Sequence, residues 1–263
     1  MFGGFTGFNE DRGGDWGENL LNSVASNTLR HLFTHSETVD VKVRCNPSSK
    51  LLQGSIDSFQ MKGRGLVIRR DFRTEEMSFE TDAVSIDFSS VLKGKISLKQ
   101  PTQAIAIVKL AEADINRAFG AELVRKRLEN LTVPALTDLS GGQPVSFADV
   151  ELTLLSNNRV KLFAKADLAN RVVPVSLSCT LAIAKRRRIL FQNAQFESEC
   201  IPDEDRELSK LLTEILADIL NEMVDLDRFN LDGVTLRLNR LETQGKMLVF
   251  SGYAQIERIP KTG

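Results

Sequence analysis

Several absences narrow the reading of this chain before any pattern does. Histidine is scarce, with two residues in 263, and the three cysteines, Cys45, Cys179 and Cys200, are an odd number at wide spacing with no CxxC pair. That supply does not compose a recognisable zinc site or a disulfide framework, and it suits a reducing compartment with buried thiols. Charge of one sign is also missing: 35 acids stand against 34 bases. The strongly basic balance of a nucleic-acid binder is therefore absent, and no nucleic-acid partner is expected. There is no GxSxG elbow and no P-loop, and Gly63 and Gly65 do not continue into a dinucleotide fingerprint. No nucleophile comes with a partnered base, so an enzyme acting on lipids ranks last among the readings, and neither a catalytic residue nor a cofactor is assigned.

Long apolar runs are missing too. The opening MFGGFTGFNEDRGGDWG has no basic start and no apolar stretch of signal-peptide or membrane-span length, and Phe2 stands where N-myristoylation requires Gly. These features predict a cytoplasmic protein, at most peripheral on a membrane. Residues 1–16, rich in Gly and Phe, read as a flexible arm whose Phe2, Phe5, Phe8 and Trp16 either dip into a bilayer interface or are incidental. Residues 17–260 read as one α+β domain.

What is present is alternation. From Glu18 to about Ser36, Leu20, Leu21, Val24, Ala25, Thr28 and Leu32 recur at helical steps. The period then drops to two at Val39, Val41, Val43 and Cys45 and ends at Asn46-Pro47. Shorter alternations cover Ile56 to Met61, Leu66 to Ile68, Met77 to Phe88 and Ile96 to Leu110. A second helix is predicted from Glu112 to Asn130, followed by a loop from Leu136 to Pro144 containing Ser140-Gly141-Gly142. Strands resume at Val150–Leu154, Val160–Ala166 and Val173–Ile183, with a tight turn at Ser156-Asn157-Asn158. The strongest helix runs from Asp203 to about Asp227, its acidic start favouring the helix dipole. Two more strands follow, Val234 to Leu238 and Met247 to Ile256.

Two local features bear on chemistry. His31 and His35 stand four apart on the predicted first helix; without an HExxH pattern they read as solvated or capping groups near its end. The run Lys185, Arg186, Arg187 and Arg188 lies between two strand patterns, which places four positive charges at a hairpin tip. Such a tip either solubilises the turn and discourages edge pairing or meets anionic headgroups, at about 1 kcal/mol per charge. Arg69, Arg70 and Arg73 form a looser stretch of the same ambiguity.

Four segments, VDVKV (Val39 to Val43), LLQGSIDSFQMKGRGLVI (Leu51 to Ile68), VLKGKISLKQPTQA (Val91 to Ala104) and AEADINRAF (Ala111 to Phe119), resemble the LmeA-like phospholipid-binding family. The resemblance implies a fold similar to tubular lipid-binding domains, with a curled antiparallel sheet wrapped around long amphipathic helices and acyl chains in an apolar groove. It implies non-enzymatic binding of a phospholipid or similar amphiphile, with a role as lipid carrier or in membrane lipid homeostasis, and a phospholipid or membrane surface as partner. The apolar lining expected on the helices is Leu21, Val24, Leu32, Leu212, Ile215, Leu216, Ile219 and Met223. Burying one 16-carbon chain contributes on the order of 10 kcal/mol before ordering costs. The rival reading is a ligand-free scaffold whose exposed face binds a protein partner.

Overall fold

Period-two alternation decides most of this architecture. The computed structural model describes residues 12–258 apart from 48, 69–70 and 229–232, and only the backbone of 12–17 and of 228. The first series of elements is α1 (Arg12–Arg30), β1 (Thr38–Arg44), α2 (Ser49–Leu52), β2 (Ser55–Ile56), β3 (Ser58–Ile68), β4 (Phe72–Thr81), β5 (Val84–Ser85), α3 (Phe88–Val91), β6 (Thr102–Ala111) and α4 (Glu112–Phe119). The second is α5 (Glu122–Arg125), α6 (Pro134–Leu139), β7 (Val145–Leu154), β8 (Arg159–Leu168), β9 (Arg171–Ala184), β10 (Arg188–Phe196), α7 (Arg206–Met223), β11 (Val234–Gln244) and β12 (Met247–Ile256).

The strands pair antiparallel in a six-stranded sheet, β1-β3-β4-β6-β12-β11, and a four-stranded sheet, β10-β9-β8-β7, with β2 and β5 as a small separate pair. The fold is thus mixed and mostly antiparallel. The expectation of one sheet around the long helices is corrected: there are two larger sheets, α1 packs on β1 of one, and α7 packs on β9 and β10 of the other.

Each sheet buries one face. Val160, Leu162, Ala164, Ala166 and Leu168 of β8 are all buried in the main core. That core also takes Leu212, Leu216 and Leu220 of α7, and Leu241 and Leu248 from the far end of the larger sheet. A second core joins Leu21 and Ala25 of α1 to Val39, Val41, Val43 and Met61. The third is small: Ala104, Ala106 and Ala254, rimmed by Phe79, Val234, Leu236 and Ile256.

Sheet edges are closed by side chains from neighbouring elements, which removes the hazard of unpaired strand backbone. On α1, Glu18 accepts from the Cys45 N–H and Asn22 from the Val43 N–H, each at 2.7 Å. On α4, Asn116 exchanges two hydrogen bonds with Leu152 of β7, and Glu112 accepts from the Leu154 N–H. On α7, Asn221 accepts from the Phe191 N–H of β10 at 2.7 Å. The last edge, β11, is met by Asn158, which accepts from the Thr243 N–H and donates to the Leu241 carbonyl.

Several sequence expectations move. α1 begins at Arg12, inside the expected arm, and ends at Arg30, leaving Leu32 beyond it; residues 1–11 lie outside the described residues. The predicted helix Glu112–Asn130 stops at Phe119, because after Gly120 the chain turns extended at Ala121; Leu128 beyond it lies in the main core. The predicted loop Leu136–Pro144 is overlapped by α6, started by Pro134 at its first turn and holding the buried Leu136. The strand predicted from Ile96 begins at Thr102, immediately after Pro101, which has no N–H to give the ladder. The long helix begins as a short 3-10 turn over Asp203–Asp205 and ends at Met223.

Candidate functional site

The basic run does form a hairpin tip. Lys185 and Arg186 take positive φ values of 50° and 57°, and the Arg187 N–H bonds the Ala184 carbonyl at 3.1 Å, in a three-residue connection between β9 and β10. The four charges do not project together, however, because three of them are engaged by neighbours. The carbonyl of Arg186 accepts from the Leu238 N–H at 2.6 Å, its Nη2 donates to Asn239, and its guanidinium lies 5.8 Å from the Tyr253 ring centre. Arg187 donates to Asp227, and Arg188 donates to the Asn221 carbonyl at 2.9 Å with Asp225 alongside. Lys185 is exposed and carries none of these contacts. The Arg187 hydrogen bond, followed by that of Arg237, holds the Asp227 carboxyl below the usual carboxylate range, and the same pairing raises Arg187.

The expected lining residues fall in different places. Leu212, Ile215, Leu216, Ile219 and Met223 all pack in the main core, with Leu212 and Leu216 fully buried. Leu21 and Val24 belong to the second core, while half-buried Leu32 belongs to neither. The helical residues named from sequence therefore do not converge on one surface. The small third cluster differs in kind. In the β6–β12 ladder Ala104 stands opposite Ala254, and Ala106 opposite Gly252, so four small residues floor this stretch of the inner face. Gly252 has to be glycine: a Cβ there would sit 2.0 Å from the Arg237 carbonyl oxygen of β11. The rim residues Phe79, Val234, Leu236 and Ile256 remain half-exposed.

The opposite, outer face of the same strands is also partly apolar. Ile105 is 55% exposed, Ile107 41% and Tyr253 43%, and Ile105 pairs directly with Tyr253. Two clefts flank this strip. One, of about 320 Å³, is lined by Gln103, Arg186, Thr235, Arg237, Tyr253 and Gln255. The other, of about 450 Å³, includes Lys62, Arg64, Lys109, Asp40 and Glu76, and there Glu76 already pairs with Arg64 and Lys109.

The remaining candidates for chemistry are structural. Cys179 is buried and its thiol is pushed up to about 12 by that burial; Cys45 is raised for the same reason, with Asp57 adding to it; only Cys200 is exposed, so the expectation of buried thiols holds for two of three. His31 bonds the Asn27 carbonyl at the end of α1, whereas His35 has left the helix and bridges Val67. Arg73 joins Glu37, Glu75 and the buried Asp114, tying β4 to α4; Arg69 and Arg70 lie outside the described residues, as do Phe2, Phe5 and Phe8 and the side chain of Trp16. Among the described residues no cluster of metal-ligating side chains occurs, and no helix is long and apolar enough to cross a membrane.

A family model described as LmeA-like phospholipid-binding matches residues 13–252, nearly the whole chain and both larger sheets. The chain belongs to the LmeA-like phospholipid-binding family. No curated protein and no solved structure matches it significantly. Membership in the LmeA-like family suggests lipid binding. Sequence reasoning missed the alanine floor and the outer clefts. The signal for both was TQAIAIVKL, where Ala104 and Ala106 alternate with Ile105 and Ile107, so that one strand is apolar on both faces.

Proposed function

We propose that this protein binds a phospholipid without covalent chemistry, as a single lipid-binding unit that touches membranes peripherally and carries lipid or takes part in its homeostasis. The acyl chains lie along the inner face of the six-stranded sheet over Ala104, Ala106, Gly252 and Ala254, between the rim side chains Phe79, Val234, Leu236 and Ile256. The observation that supports this reading is the character of the third cluster in a chain of a phospholipid-binding family. Small residues on a sheet face leave room for a chain that larger ones would fill, and methylene burial alone, at about 0.8 kcal/mol per group, supplies the driving force. Few polar contacts are needed.

Native mass spectrometry of the purified chain, followed by organic extraction, tests the reading. A phospholipid retained at one per protein is the expected result. A protein that emerges empty and takes up no fluorescent lipid from vesicles would sink it, and would favour a ligand-free scaffold with its exposed face turned to a protein partner.

A further inference from the structure

The outer cleft formed where the β9–β10 hairpin tip meets the larger sheet has a composition that the acyl-chain reading does not use. Among the described residues its lining is Gln103, Arg186, Thr235, Arg237, Tyr253 and Gln255: two guanidinium groups, two amides and two hydroxyls, none of the six a carboxylate. Both cations are held in place. Arg186 is fixed by its carbonyl bond to the Leu238 N–H, by Asn239 and by the Tyr253 ring. Arg237 meets Asp227 and the Leu236 carbonyl through Nη1, which leaves Nη2 and Nε with neither contact. A guanidinium has five donors in a planar fork that suits phosphate oxygens. Gln103 and Gln255 are directly paired across the ladder and both exposed, so their amides add donors on the cleft floor.

We propose that this cleft is a binding site for a phosphate-bearing anion. Arg186 and Arg237 hold the phosphate oxygens from the wall, with Gln103, Gln255, Thr235 and the Tyr253 hydroxyl beneath. The second outer cleft differs in that Glu76 and Asp40 belong to its lining, whereas Asp227, which meets Arg237, is not among the lining residues of the first. A lipid headgroup at a membrane surface and a soluble phosphate share the required chemistry. The exposed Ile105 and Ile107 beside Tyr253 favour the headgroup, since they would rest against the bilayer interface while the cleft takes the phosphate. The site does not rest on the acyl-chain reading: Gln103, Tyr253 and Gln255 face away from Ala104 and Ala254 on the same two strands.

Tyr253 is the only tyrosine in the chain, so protein labelled with carbon-13 tyrosine gives one tyrosine NMR signal, from the cleft itself. That signal is followed during titration with inorganic phosphate, with sodium chloride at matched ionic strength, and with phosphatidylglycerol vesicles. A saturable response to phosphate or vesicles, absent with chloride, is expected. Response to vesicles alone assigns the headgroup; response to inorganic phosphate as well assigns a site for the phosphate group itself. Gln255→Glu should weaken the response about fivefold, as one repulsive charge at such a surface does, with Gln103→Glu as a second variant if the first fails to fold. Gln53→Glu, the same charge change at an exposed residue outside the cleft lining, should leave it unchanged. No response to either phosphate source, or equal weakening by Gln53→Glu, would overturn the proposal, and a protein that extracts empty of lipid yet responds to phosphate upholds it.

Discussion

Asn116 and Leu152 exchange two hydrogen bonds across the edge of the four-stranded sheet, the side-chain amide donating at 3.0 Å and accepting at 2.7 Å as another strand would. Four residues earlier on α4, Glu112 accepts from Leu154; on α1, Glu18 and Asn22 repeat the same spacing against Cys45 and Val43. A Glu-x-x-x-Asn pair on a helix thus closes a strand edge twice in this chain.

Asn116→Ala is expected to destabilise the fold by about 2 kcal/mol, because both backbone groups of Leu152 lose their partner. Asn27→Ala, at an exposed position of α1, should stay within about 0.5 kcal/mol. Urea denaturation of both variants checks this; equal effects would mean that the edge does not depend on the amide.

The anchorage of the basic hairpin should depend on pH. Asp227 titrates below the ordinary carboxylate value because Arg187 and Arg237 hydrogen-bond its charged form. A depressed folded pKa stabilises the native state above the unfolded value, and the contribution is lost as pH falls through the folded one. The tip should therefore stay docked at neutral pH and loosen as the medium is acidified below the usual carboxylate range. Hydrogen-exchange protection of the Leu226 and Leu238 amides, which bond the carbonyls of Arg187 and Arg186, reports this directly. In Asp227→Asn the acid step should disappear; a step that persists would place its origin elsewhere.

Much of this fold is legible in sequence wherever one face of a strand is buried. Val39, Val41 and Val43, or Val160 through Leu168, announce themselves by alternation, and the hairpin tip at Lys185-Arg186 follows from the strands on either side. What alternation does not encode is which sheet a strand joins, so the division into two larger sheets and the assignment of α1 and α7 to different ones were not visible. Helix stops were misplaced for a local reason: Ile115, Phe119 and Leu123 keep a four-residue helical step straight across Gly120, although the chain turns extended at Ala121 between them. A long helical stripe looks the same in sequence whether it packs a core, as Leu212 and Leu216 do, or lines a groove. Alanines opposite one another on two distant strands, Ala104 and Ala254, become neighbours only through pairing.

Thiol accessibility should follow burial closely. Cys200 is exposed, while Cys45 and Cys179 are buried with thiols raised by desolvation, and a protonated, enclosed thiol reacts slowly. Ellman's reagent added to native protein is expected to titrate one group rapidly, and all three of the chain's cysteines after denaturation. Rapid native reaction of a second thiol would show that the sheet around Cys45 or Cys179 opens readily.

Paired substitutions separate a groove from a core. Leu216 is fully buried among the side chains of the main core, so Leu216→Ala should cost about 3 kcal/mol while leaving the lipid carried per folded molecule unchanged. Ala106, on the floor of the third cluster, should behave in the opposite way. A leucine there projects into the space assigned to the acyl chain, so Ala106→Leu is expected to lower retained phospholipid with little change in stability. If neighbouring side chains already filled that space, the added methyl groups would be forced into packed surroundings and the variant would lose about 1–3 kcal/mol instead. Measuring denaturation midpoint and extracted phospholipid on the same two variants therefore decides between them: retained lipid combined with lost stability in Ala106→Leu would place the acyl chains elsewhere.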